Sequence, residues 1–140
     1  MKTSGLDHVV LTVTDLERAR RFYGDLLGFE LREGEEPEYP AGALYFMVGG
    51  VEITLVHHAR TSPDDRFSEF RVGLDHLSFV APDLAALHAL ADKLIAAGVD
   101  TKGVEIYAPN GKRYVVFRDP DNIQLEYWLD EPVGGQNEGE

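Results

Sequence analysis

The chain has 140 residues, 44% of them hydrophobic, which is enough to bury one compact core. Lys plus Arg number 13 against 25 for Asp plus Glu, giving a formal net charge of -12. That sign repels phosphate backbones and anionic lipid, so neither nucleic acid nor a membrane is an expected partner. There is no cysteine, which excludes disulfides, thiolate ligands and thiol nucleophiles. No apolar stretch approaches a membrane span, and the start, Met1 to Gly5, carries no apolar signal region. A cytoplasmic location is the expectation.

Leu6 to Val13 is apolar and β-branched and predicts a largely buried strand. Thr14 and Glu17 form a capping-box pattern, and Leu16, Ala19, Phe22, Tyr23, Leu26 and Leu27 recur at helical spacing up to a stop at Gly28. Phe29 to Glu36 predicts a second strand, with an acidic run of Glu33, Glu35, Glu36 and Glu38 suited to a solvated edge. Pro37 and Pro40 bracket a loop, and Ala43–Val48 and Val51–His58 predict a hairpin around Gly49-Gly50. Ala59 to Arg71 is mostly polar and reads as a linker or as a loop over a site. Leu74 to Val80 predicts the next strand. Asp83 caps a helix carrying Leu84, Leu87, Leu90, Ala91, Leu94 and Ile95, with Gly98 at its end. Val104–Tyr107 and Lys112–Phe117 flank the hairpin signal Asn110-Gly111, and Ile123–Leu129 predicts a last strand after the turn Asp119-Pro120-Asp121-Asn122.

This order is β-α-β-β-β, twice. Gly5-Leu6-Asp7-His8 returns as Gly73-Leu74-Asp75-His76, and Asp15-Leu16 returns as Asp83-Leu84 at the same offset. The expected organisation is an α+β fold of two βαβββ modules, 1–58 and 73–129, with a linker over 59–72 and a disordered acidic tail over 130–140.

Strand alternation decides which side chains can meet. Val9, Leu11 and Val13 oppose His8, Val10 and Thr12; Leu77 and Phe79 oppose His76, Ser78 and Val80. Ile123, Leu125 and Tyr127 oppose Gln124, Glu126 and Trp128. The apolar sets are expected against the helices, leaving both histidines and Glu126 on the other faces. A lone strand histidine is commonly a hydrogen-bonded core or edge residue, and Glu126 alone would fit an exposed strand end. Two histidines at matched positions with a carboxylate on the last strand point instead to one divalent ion, because an unpaired buried carboxylate is costly and an ion would offset it. Two imidazoles and a carboxylate suit Fe, Mn, Ni or Zn. His88 on the second helix is expected at the surface and Trp128 at a packed strand end or a cavity mouth. The facing of Tyr45, Met47, Arg113 and Arg118 depends on the hairpin register.

Leu6-Asp7-His8-Val9, Leu74-Asp75-His76-Leu77 and Phe117-Arg118-Asp119-Pro120-Asp121-Asn122-Ile123-Gln124-Leu125-Glu126 together resemble the vicinal oxygen chelate superfamily of glyoxalases, extradiol dioxygenases, fosfomycin-modifying enzymes and bleomycin-resistance proteins. The resemblance spans Gly5 to Tyr127. It implies paired βαβββ modules whose sheets curl into a cupped, incomplete mixed β-barrel with helices outside. It implies one divalent metal ion held by His8, His76 and Glu126, a small-molecule substrate chelating it through vicinal oxygens, and a homodimer with modules either kept in one chain or exchanged. The family's fourth ligand position falls on Thr54, a poor ligand; Glu52 and His58 share its face and Glu52 is the better substitute. Loss of a carboxylate at position 54 weighs against glyoxalase-like lyase or isomerase chemistry, where that carboxylate moves a proton, and leaves extradiol-type dioxygenase chemistry beside it. Val10 stands where fosfomycin-modifying relatives carry threonine, which disfavours that role. Acid/base candidates are Glu52, His57, His58, Tyr107 and Tyr114, without a ranking. The alternative is a metal-free protein that sequesters a drug or metabolite, as bleomycin-resistance relatives do, although those typically lack the ligands kept here.

Overall fold

A computed structural model describes residues 1–132, which divide into two compact units, Met1–Arg66 and Phe67 onward. The segment read as a linker is thus shared: 59–66 belongs to the first unit and 67–72 to the second.

In the first unit β1 (His8–Thr12) leads to α1 (Leu16–Ala19), which continues as a π-helical stretch over Arg20–Leu26. β2 (Arg32–Glu36), β3 (Tyr39–Val48) and β4 (Val51–Val56) follow. The sheet order is β1-β4-β3-β2, with β1 parallel to β4 and the other pairs antiparallel. The second unit repeats this with β5 (Leu77–Val80), α2 (Leu84–Ala96), β6 (Glu105–Tyr107), β7 (Lys112–Arg118) and β8 (Gln124–Pro132), in the order β5-β8-β7-β6. Each unit is therefore one four-stranded mixed sheet with one helical segment, the βαβββ order expected from the repeat.

The departures from expectation are local. The first helix is capped by Asp15, whose side chain accepts from the Arg18 amide, and not by Thr14, whose hydroxyl accepts instead from the Arg18 guanidinium at 2.6 Å. Asp15 matches Asp83, which caps α2 by accepting from Ala86, so the repeat locates the cap better than the capping-box pattern does. The helix widens after Ala19, with the Leu27 amide donating five residues back to Phe22. Phe29 stays outside β2 because its amide bonds the Tyr23 carbonyl and its ring stacks on Phe46 at 4.1 Å. Pro40 lies within β3 instead of ending a loop. It falls where the β2–β3 register shifts, so its missing N–H costs no regular ladder bond. β8 runs to Pro132, three residues into the segment read as tail; residues 133–140 of that segment lie outside the described residues. Gly28 and Gly98 hold φ of +84° and +73° just past the two helical segments, the left-handed stop that glycine adopts without strain. Glu33, Glu35, Glu36 and Glu38 are all exposed on or beside the edge strand β2, as the charge run implied.

Alternation sorts the core as expected. Leu11 and Val13 are buried with Tyr23, Phe46, Ile53 and Leu55 in the first unit. Phe79, Leu87, Leu94, Val115, Phe117, Ile123, Leu125 and Leu129 are buried in the second, where α2 packs on β7 and β8. Leu125 lies on the central strand β8 and is fully buried, so Leu125→Ala leaves a cavity among neighbours already at close packing. It is expected to cost about 2–5 kcal/mol, read as a lowered urea midpoint at unchanged slope.

Candidate functional site

In the second unit Ser78, Gln124 and Trp128, on the face away from α2, converge on Glu126. Parallel pairing sets Ser78 against Glu126 and Val80 against Trp128, and antiparallel pairing sets Val116 against Glu126, Tyr114 against Trp128 and Arg118 against Gln124. Glu126 is 7% exposed. Its Oε2 accepts from Gln124 Nε2 at 2.7 Å, and its Oε1 accepts from the Trp128 indole at 2.7 Å and from the Ser78 hydroxyl at 3.3 Å. The chain's own donors thus offset the burial of this carboxylate, a role that an ion was expected to fill.

His76 stands beside it. Its Nδ1 donates to Asp75 Oδ1 at 2.7 Å, which leaves Nε2 facing Glu126 Oε1 at 3.6 Å. That gap is beyond hydrogen-bond reach. It suits two donors on one ion, since adjacent ligands about 2.1 Å from a metal lie roughly 3–3.4 Å apart. His8 repeats the pattern in the first unit, with Nδ1 donating to Asp7 Oδ1 at 2.6 Å. The Asp7 carboxylate raises the His8 pKa above its ordinary 6.5, first through this hydrogen bond and then through its charge, with Glu52 adding to the same effect. Both Gly-Leu-Asp-His copies therefore carry an aspartate that fixes the imidazole tautomer and leaves Nε2 for a ligand or a proton. The donor set of His76 and Glu126 fits a divalent ion. Among the described residues, no group of three His, Asp or Glu side chains is gathered as a metal cluster.

The first unit carries a related arrangement. β4 runs in regular register through Val56 with no bulge, pairing His8 with Glu52 and Val10 with Thr54. Since Ser78 pairs with Glu126, Thr54 is the counterpart of Glu126, and no slipped register alters this. Glu52 lies level with His8, and its Oε2 accepts from the Thr54 hydroxyl at 2.9 Å. His57 and His58 lie past the end of β4. The Nδ1 of His57 donates to the Val13 carbonyl at 2.9 Å, and His58 packs edge-on against Tyr39 with ring centroids 5.1 Å apart. Tyr114 stacks on Trp128 at 4.6 Å, with Tyr107 edge-on to both, and burial raises its pKa above the ordinary 10 with Glu105 and Glu126 contributing. His88 is exposed on α2.

Register also settles the residues whose facing the sequence left open. Tyr45 and Met47 pair with Thr54 and Glu52 and share their face; Arg113 lies across from Leu129 on the core side. Each unit has a cavity beside this face. One of about 260 Å³ is lined by Glu30, Arg32, Tyr45, Phe46 and Met47. The other, about 310 Å³ and among Lys102, Glu105, Tyr114, Val116 and Arg118, is at the small end of ligand clefts.

Three residues were not read as functional from sequence. Ser78, Gln124 and Trp128 stand two residues from His76 or Glu126, so alternation already put them on the right face, but nothing in the sequence said that they bond the carboxylate. Arg118 accounts for the rest of the network, donating from Nη1 and Nη2 to both oxygens of Glu69 at 3.1 Å. The Arg118 guanidinium holds the Glu69 pKa at about 2, well below the ordinary 4.5. A depressed carboxylate contributes stability that is present above pH 4.5 and is lost as the pH falls toward 2. Wild-type protein is therefore expected to lose thermal stability more steeply than Glu69→Gln between about pH 4.5 and 2, followed by melting temperature against pH. Parallel curves would remove the pair from the acid response.

Comparison with known proteins agrees with this architecture. The family model for the Glyoxalase/Bleomycin resistance protein/Dioxygenase superfamily matches residues 5–127. The crystal structure of a glyoxylase/bleomycin resistance protein/dioxygenase domain from Frankia sp. EAN1pec is 35% identical, with a TM-score of 0.79 over 91% of this chain and 98% of that one. A lactoylglutathione lyase from Agrobacterium tumefaciens is 25% identical, with a TM-score of 0.67 over 92% and 96% of the two chains. The uncharacterized protein YqjT of Bacillus subtilis (strain 168) is 31% identical over 124 residues, 86% of this chain and 95% of its own. With both modules inside the matched span, the chain belongs to the Glyoxalase/Bleomycin resistance protein/Dioxygenase superfamily, whose fold is the paired βαβββ module.

Proposed function

We propose that this protein is a divalent-metal-dependent enzyme of the superfamily, with His8, His76 and Glu126 as the metal ligands and a small substrate that chelates through two neighbouring oxygens. The observation that carries the reading is the 3.6 Å spacing of His76 Nε2 and Glu126 Oε1, an imidazole nitrogen and a buried carboxylate oxygen set side by side as two donors to one ion would be, with the other ring nitrogen committed to Asp75. The matching Asp7–His8 pair in the first unit supports it, because aspartates of this kind orient ligand imidazoles. A bound ion of Fe, Mn, Ni or Zn would supply Lewis acidity toward the substrate oxygens as negative charge develops on them.

The chain's own residues set what surrounds that chemistry. Asp7 and Asp75 hold the imidazoles, Ser78, Gln124 and Trp128 hold Glu126, and the Tyr114–Trp128 stack offers a flat apolar wall on the same strand face. We assign Glu52 as the fourth candidate ligand and as the carboxylate able to move a proton beside a substrate carbonyl. Its Oε2 is occupied by Thr54, while its other oxygen takes no hydrogen bond from that residue. This assignment favours glyoxalase-like lyase or isomerase chemistry over extradiol-type oxygenation. His57, with Nδ1 committed to a backbone carbonyl, is the weaker acid/base candidate. The reading includes a homodimer, with ligands from the two units supplied by one chain or by two, and a cytoplasmic location.

Protein purified without chelators is expected to contain a stoichiometric first-row divalent metal by elemental analysis. Glu126→Gln is expected to weaken Mn(II) binding by more than about 100-fold, and Asp75→Asn by about 10–100-fold, the range typical of outer partners. Full metal occupancy in Glu126→Gln would sink the ligand assignment. A metal-free wild type that binds small molecules tightly would favour sequestration, as in bleomycin resistance, over catalysis.

A further inference from the structure

Glu126 ends a chain of hydrogen bonds that begins on a different segment. Glu69 lies before β5, in a stretch pinned to the β7–β8 turn at two points: the Phe67 amide donates to the Asp121 carbonyl at 2.9 Å, and Asn122 Nδ2 donates to the Phe67 carbonyl at 3.0 Å. From there Glu69 receives both Nη groups of Arg118 in a bidentate pair. Arg118 also donates from Nη1 to the Asn122 carbonyl at 3.1 Å and from Nη2 to Gln124 Oε1 at 3.0 Å.

The last of these bonds sets direction. A guanidinium can only donate, so the Gln124 side chain must turn its oxygen toward Arg118. Its nitrogen is thereby turned the other way, onto Glu126 Oε2 at 2.7 Å. Without Arg118 the amide could rotate, presenting an acceptor to a carboxylate that can only accept. We propose that Glu69 and Arg118 are positioning residues for Glu126. They lock the Gln124 amide so that Oε2 is held and Oε1 is left toward His76, Ser78 and the Trp128 indole. This rests on the proposed function for what Glu126 does there, but not for the bonding pattern itself. The first unit needs no such relay, because the Thr54 hydroxyl that bonds Glu52 can turn its own proton to the carboxylate, with no amide to be held the right way round.

Trp128 is the only tryptophan in the chain, so its indole N–H gives one resolved signal in a ¹⁵N-labelled sample and reports on Glu126 Oε1. The test uses the full chain without added metal, in wild type, Glu126→Gln, Glu69→Gln and Arg118→Met. Glu126→Gln calibrates the reporter by displacing that signal. Glu69→Gln, isosteric and without direct contact to the indole, is expected to displace it in the same direction while the backbone signals of β5 and α2 stay in place. Arg118→Met is expected to displace it further. An indole signal unmoved in Glu69→Gln, where Glu126→Gln moves it, overturns the proposal even if Arg118→Met fails to fold. A Mn(II) titration of the same samples separates the two readings. A wild type that binds no Mn(II) counts against the metal site alone, and the indole still decides the relay. A binding wild type is expected to be about tenfold tighter than Glu69→Gln.

Discussion

Each unit depends on the parallel pairing of its first and last strands. β1 with β4 and β5 with β8 are brought together by crossovers through a helical segment and two further strands, and that pairing buries one face of the sheet against the helix. The opposite face is then free to carry polar groups without loss of core. The register of the pair decides which of those groups meet. Because Val9 lies against Ile53 and Leu77 against Leu125, His8 comes level with Glu52 in the first unit and Ser78, two residues after His76, comes level with Glu126 in the second. A slip of one residue would turn Glu126 into the core and Leu125 out of it. The burial of Leu125 and the bonding of Glu126 are therefore two consequences of a single alignment.

That alignment was largely legible in the sequence. The repeated Gly-Leu-Asp-His fixed the equivalence of the two units, and alternation named the faces, so the positions of Leu11, Phe79 and Leu125 followed without coordinates. What stayed hidden has physical reasons. The partners of Glu126 come from β5 and from β8 itself, and a sequence does not say that an indole two residues along will reach back to a carboxylate. Glu69 sits in a segment without periodicity, and only the folded turn at Asp121 and Asn122 brings it to Arg118. The capping box at Thr14 misled because a neighbouring aspartate with the right backbone geometry took the amide, leaving the threonine hydroxyl to the Arg18 guanidinium.

Glu126 shows why burial by itself is a weak argument for a metal. Strand alternation placed an acid beneath an apolar run, and the energetic cost of that placement suggested a cation. The protein instead supplies an amide, an indole and a hydroxyl, all of them donors. What still points to an ion is the imidazole beside the carboxylate, whose Nδ1 is committed to Asp75 and whose Nε2 stands 3.6 Å from Glu126 Oε1. The distinction matters because a satisfied carboxylate can persist without metal, so such a site can be assembled before an ion arrives.

The two units solve the same problem in opposite order. On β8 the neutral residue comes first and the acid second, Gln124 then Glu126; on β4 the acid comes first, Glu52 then Thr54. In both, the neutral side chain donates to the acid two residues away, at 2.7 Å and 2.9 Å. Reading position 54 alone, the first unit has lost its carboxylate. With the pair taken together, the carboxylate has moved one same-face step along the strand, to the level of His8. A threonine there is then no mere vacancy, since its hydroxyl restrains Glu52 as Gln124 restrains Glu126. The duplicated unit thus keeps one histidine, one carboxylate and one neutral donor in each half, and it is the order along the last strand that differs.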